Sequence, residues 1–111
     1  MMEPLENIFR SKAINQFYQD SGLEYKLCEE IFGVFIGAVK SVVEAIEKAN
    51  ELNDFEKSRG LIHGLKGNAG NVRATDIADV ALKVELAIKD NDMVLAKSEM
   101  KILKKVIEKY M

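Results

Sequence analysis

The chain has 111 residues, of which 48% are hydrophobic, enough for one modest core and too few for a second catalytic domain. Its formal net charge of −2, spread through both halves, argues against a dedicated nucleic-acid binder, which needs a clustered basic surface. The single cysteine, Cys28, has no internal disulfide partner and no metal-ligand spacing around it, so a reducing compartment fits.

Apolar residues recur three and four apart along most of the sequence, and no segment alternates with period two, so the chain reads as all-α. The first segment, Pro4 to Gln19, carries Leu5, Ile8, Phe9, Ala13, Ile14 and Phe17 and suggests one or two short helices. Asp20-Ser21-Gly22 supplies turn and cap chemistry, and a long helix is expected from Leu23 to about Asn50. Its main stripe is Leu27, Ile31, Phe35, Ala38, Val42, Ile46 and Ala49. A second stripe, Phe32, Ile36, Val39 and Val43, lies about 100° around the helix, and two apolar faces need two neighbours. Either the first segment covers the second stripe, or part of that stripe stays exposed for docking.

Asn53 or Asp54 opens a third helix that runs to about Asn71. Thr75 or Asp76 opens a fourth, ending near Asp90, with Ile77, Ala81, Val84 and Ile88 inward. Asn91-Asp92 caps a fifth, whose stripe is Met93, Ala96, Met100, Leu103, Ile107 and Tyr110. Connections this short make neighbouring helices antiparallel. The expected architecture is a single domain over 1–111, an antiparallel up-down four-helix bundle (21–111) with short N-terminal helices (4–19). The longest uncharged run, Ile31 to Val39, is too short to span a bilayer, and the N-terminus lacks the basic start and apolar stretch of a signal peptide. A cytoplasmic protein without membrane contact is expected.

The only histidine, His63, stands in Ile62-His63-Gly64-Leu65-Lys66-Gly67-Asn68-Ala69-Gly70. If Phe55, Ser58, Ile62, Leu65, Ala69 and Val72 set the core direction, His63 points away from it with Glu56, Arg59, Gly60, Lys66, Gly67 and Gly70. Four glycines (60, 64, 67 and 70) inside one helix cost about 1 kcal/mol each relative to alanine. Three share the histidine side and open space around it; Gly64 points sideways and suits close approach of a neighbouring helix. An imidazole titrating near 6.5 offers a neutral nucleophilic nitrogen at cytoplasmic pH, and so accepts a phosphoryl group. Lys66, one turn on, offsets the added charge, and Arg59, on the preceding turn, adds to the same field. No phosphate loop or kinase nucleotide motif accompanies them, so the phosphoryl group has to come from a partner.

These residues resemble the histidine phosphotransfer (HPt) domain family, whose signature is similar to His-x-Leu-Lys-Gly followed by small residues and a Gly-Ala or related turn. The stretch His63 to Ala74 carries the likeness, which extends from Ala13-Ile14-Asn15-Gln16-Phe17 and the Leu27 to Phe35 helix through Leu82-Lys83-Val84-Glu85. Arg73 departs from it, standing where the family often has glycine.

The resemblance implies that His63 is the phosphoacceptor, through the ring nitrogen farther from the backbone, with Lys66 supporting the phosphoryl charge and Gly67 keeping the approach open. It implies exchange with aspartates of response-regulator receiver domains, fed by a hybrid or sensor histidine kinase, in a multistep phosphorelay. Magnesium would belong to the receiver, with no cofactor on this chain, which is expected to be a monomer and not itself an enzyme. Two other readings are a phosphoacceptor module of a chemotaxis-type histidine kinase and a receiver-binding bundle that transfers nothing. The ends of the chain, Met1 and a last helix reaching Met111, favour the stand-alone form.

Overall fold

The computed structural model describes residues 7–111, so Pro4 and Leu5 of the first predicted segment lie outside the described residues. Five helices follow in order: α1 (Ile8–Ser21), α2 (Tyr25–Glu51), α3 (Phe55–Asn71), α4 (Thr75–Lys89) and α5 (Met93–Glu108). The described residues contain no strand, and no described helix is long and apolar enough to cross a membrane. At 1.5 Å per residue the 27 residues of α2 span about 40 Å, close to the 46 Å long dimension of the molecule.

The three connections from α2 through to α5 repeat one device. Asn53, Arg73 and Asn91 adopt positive φ (57°, 66° and 57°). The residue after each donates its backbone N–H back to the helix it has left: Asp54 to Ala49 O at 2.8 Å, Ala74 to Ala69 O at 2.9 Å and Asp92 to Ala87 O at 2.9 Å. These are Schellman closures, which satisfy the last helical carbonyls and stop the helix. In two of them the closing residue also starts the next helix, the side chains of Asp54 and Asp92 accepting from Lys57 N and Leu95 N. Neither Thr75 nor Asp76 caps α4; its N-cap is Ala74, which makes no side-chain bond. Asp76 instead accepts the hydroxyl of Tyr110. Burial, then that bond, push the Tyr110 hydroxyl ionisation upward, and the end of the chain is thereby fastened to the start of α4.

The first segment is one continuous helix through its described part, running through Asp20 and Ser21, where the sequence suggested a turn. Gly22 ends it in the left-handed region at φ 72°, and α2 begins at Tyr25. The boundary between residues 19 and 21 therefore moves by a few residues. α1 buries Ala13, Ile14 and Phe17, and Arg10 sits 5.6 Å over the Phe32 ring. Phe32 in turn stacks within 5.9 Å of Tyr110.

Along most of α2 the stripes exchange roles relative to the sequence reading, although Ile46 and Ala49 at the end of the predicted main stripe are buried as expected. Cys28, Phe32, Ile36, Val39 and Val43 are the buried face, while Leu27 and Ala38 are exposed and Ile31, Phe35 and Val42 are only half-buried. Phe32 and Ile36 thus do not join a docking surface, Phe32 having no exposure at all, whereas Val39, though buried, lines a cleft between α2 and α3. Both stripes are apolar, and the buried one carries Phe32, which joins Phe9 and Tyr110 in a ring cluster whose members come from α1, α2 and the chain end. Ile46, Ile62, Ile77, Val84 and Leu103 complete the fully buried core.

Arg73 carries a side chain where backbone geometry favours glycine, and that side chain is committed: Nε donates to Asp20 Oδ2 at 2.7 Å and Nη1 to Gly70 O at 2.8 Å. The Arg73 bond, with a second from Gln16, holds the Asp20 carboxyl below its usual range. Arg73→Gly relieves the left-handed strain while losing the clasp, whereas Arg73→Ala loses the clasp and keeps the strain. The glycine variant should be the more stable of the two by about 1 kcal/mol in urea denaturation. Equal midpoints would show that the turn carries no strain.

Candidate functional site

Ile62, Leu65 and Ala69 face inward on α3, and the residue after Ile62 is turned about 100° away from them. His63 therefore stands on the surface, its side chain 70% exposed. The next helix approaches it from one side: Val84 of α4 is fully buried, and Glu85 beside it reaches back to α3. Its carboxylate is shared. Oε2 lies 2.7 Å from His63 Nδ1 and Oε1 lies 2.7 Å from Lys66 Nζ.

This arrangement fixes which imidazole nitrogen is available. The hydrogen bond from Lys66 chiefly, opposed by partial burial and reinforced by His63, holds the Glu85 carboxyl below its ordinary value. A group with a depressed folded pKa stabilises the fold fully above its unfolded value, and that contribution fades only as pH falls through the lower one. At neutral pH Glu85 is an ionised, acceptor-only carboxylate, so Nδ1 must carry the hydrogen between them. In the neutral ring the lone pair is then on Nε2, the nitrogen farther from the backbone.

A Cβ placed on Gly60, Gly64, Gly67 or Gly70 meets no atom within 4 Å beyond its own helix and chain neighbours. For Gly64 this corrects the sequence reading, since no neighbouring helix uses the space. Gly60 and Gly64 border an open apolar cleft of about 510 Å³ whose other wall is Ile31, Val34, Phe35 and Ala38 of α2. Val34 is 74% exposed on its rim. On the other flank of α3 a shallower basin of about 620 Å³ includes Arg59, Gly60, His63, Glu85 and Lys89. Among the described residues no group of three or more His, Cys, Asp or Glu is placed to hold a metal ion.

The structure brings His63, Lys66 and Gly67 to one face, and adds Glu85. The sequence placed Glu85 within the family likeness without a role for it, because its partner lies 22 residues away. A signal was present: Glu85 falls seven residues after Ala78, on the flank of the inward stripe of α4, where a carboxylate is positioned to face a neighbouring helix.

No curated protein and no solved structure matched the chain in comparison. A family model did, the Hpt domain, over residues 30–110. The match takes in α3 with His63 and α4 with Glu85, begins within α2 and leaves α1 outside, so the likeness at Ala13 to Phe17 falls beyond it. Domains of this family are phosphocarrier modules that pass phosphoryl groups on histidine in two-component signalling. With most of its length covered, the chain belongs to the Hpt domain family.

Proposed function

We propose that this chain is a phosphoryl carrier in a multistep phosphorelay, with His63 as the acceptor, taking phosphoryl groups from aspartates of receiver domains and returning them. The observation that carries this reading is an exposed imidazole whose Nδ1 is tied to an ionised carboxylate, leaving Nε2 free. In the transfer step the Nε2 lone pair attacks phosphorus, an Nε2–P bond forms, and the P–O bond to the aspartate breaks with its electron pair going to the departing carboxylate. The ring gains positive charge as it does so. The Nδ1–H bond to Glu85 strengthens as that charge develops, and the reverse step restores the neutral ring. The partner contributes magnesium and its own phosphate-binding groups; a hybrid or sensor kinase supplies the relay.

Lys66 keeps two ammonium hydrogens beyond the one given to Glu85 and so supports the phosphoryl charge while holding the carboxylate in place. Gly67 keeps the approach clear. The apolar cleft between α2 and α3 is the surface on which a receiver seats, because it adjoins the histidine side and leaves Val34 and Ala38 in water. An antiparallel up-down arrangement of α2 to α5 in one domain belongs to this reading. It is supported by the basin in which Phe55 and Glu56, from the start of α3, meet Ile88 and Lys89, from the end of α4.

Incubation with a phosphorylated receiver should label the parental protein on His63, and His63→Gln should remove the label; a glutamine variant labelled equally well refutes the assignment. Gly67→Leu and Val34→Glu should each slow transfer from a receiver by about tenfold or more, the scale of losing one or two interface contacts. Helix content by circular dichroism should stay parental, since neither side chain enters the core. Transfer at the parental rate would mean that receivers seat elsewhere. Glu85→Ala should lose the Nδ1–H preference, read from ring ¹⁵N shifts, and slow transfer by about tenfold, a charge-assisted bond being worth roughly 1.5–3 kcal/mol. Unchanged ring shifts would remove Glu85 from the mechanism.

A further inference from the structure

Lys66, the cation that the family resemblance assigns to the phosphoryl group, is shared with Glu85, whose negative charge offsets part of the support it gives a dianion arriving on His63. Two other cations stand nearer to free. Arg59 precedes His63 by four residues on α3, and Lys89 follows Glu85 by four on α4, each one helical turn along the same face. His63 and Glu85 touch across the two helices, and both displacements lead into the basin that Arg59, Lys89 and His63 line together. Arg59 and Lys89 therefore flank the site from opposite helices. Both are exposed, and among the described residues neither side chain makes an ion pair or hydrogen bond. Gly60 keeps the space beside them open. Two acids line the basin: Glu85, already bonded to His63 and Lys66, and Glu56, three residues before Arg59, and neither takes a bond from Arg59 or Lys89.

We propose that Arg59 and Lys89 form a two-cation seat for the phosphoryl group once it is on His63 Nε2, an assignment that rests on the carrier reading above. An arginine one turn away has the reach to set its planar fork against two phosphoryl oxygens, and the lysine adds a point charge from the facing helix. In a loose transition state the departing phosphoryl group carries less charge on its oxygens than the bound dianion, so cations on those oxygens favour the loaded carrier over loss of phosphate to water. Glu85 sets the nucleophile, Lys66 serves both the carboxylate and the phosphoryl charge, and the seat lengthens the life of the product.

The test loads the full chain with phosphoramidate, whose N–P bond breaks as Nε2–P forms and whose nitrogen leaves as ammonia, and follows the product by ³¹P NMR. Arg59→Gln/Lys89→Gln should still take up the phosphoryl group. Its second phosphoryl ionisation should rise by a few tenths of a unit and its phosphohistidine should hydrolyse about threefold faster, the scale of solvent-exposed ion pairs. Both differences should shrink in high salt. A loaded double variant with the parental titration and lifetime overturns the seat and leaves the carrier reading intact. A parental protein that shows no phosphohistidine signal overturns the carrier reading and the seat with it.

Discussion

One carboxylate shared between two hydrogen-bond donors organises the candidate site of this protein. Glu85 accepts from His63 Nδ1 with one oxygen and from Lys66 Nζ with the other. The two bonds differ in what they do. The lysine bond keeps the carboxylate ionised, and an ionised carboxylate can only accept, so the imidazole is obliged to present its outer nitrogen to solvent. The chemistry available at position 63 is thus decided on a different helix, which explains why the packing of α3 against α4 is tight where the site is otherwise open. Val84, next to the carboxylate, and Ile62, next to the imidazole, are both without exposure, and their burial sets the separation across which the bond is made.

The remainder of the fold serves to hold those two helices in register. The α3–α4 turn is one of three closed in the same way, with a left-handed residue followed by a backbone bond to the helix just ended. Such turns leave little freedom in how far one helix slides along the next. α1, which lies outside the family match, contacts both ends of this system: Arg10 packs over Phe32 near the chain end, and Asp20 pairs with Arg73 in the α3–α4 turn. Arg73, in a left-handed conformation that favours glycine, therefore has a local use, since its side chain ties α1 to the α3–α4 turn.

Most of the helices were legible in the sequence because their signals are local. Asn53-Asp54 and Asn91-Asp92 are turn and cap residues in the right order, and the inward positions of α3 to α5 follow one clean stripe each. α2 was harder, since two stripes of equal hydropathy, led by Phe35 and by Phe32, cannot be ranked without knowing that Tyr110, nearly eighty residues later, packs on one of them. The same limit applies to the site. His63, Lys66 and Gly67 are neighbours on one helix and visible from spacing alone. Glu85 and Lys89 are brought to the histidine by tertiary packing, which periodicity does not report. Gly64 was misread because a bare backbone looks the same whether it faces another helix or an empty cleft.

The four open glycines of α3 carry a further meaning for how this protein can change. Each lowers the intrinsic helicity of α3 by about 1 kcal/mol, and none is compensated by a neighbour settling into the gap. The segment that presents the imidazole is thus the one least able to stay wound on its own, and its order is borrowed from α2 and α4. Filling those positions would harden the helix and shut out visitors in the same stroke. Durability and accessibility are set against each other at the same residues, and this helix stops short of the robustness its neighbours would otherwise permit.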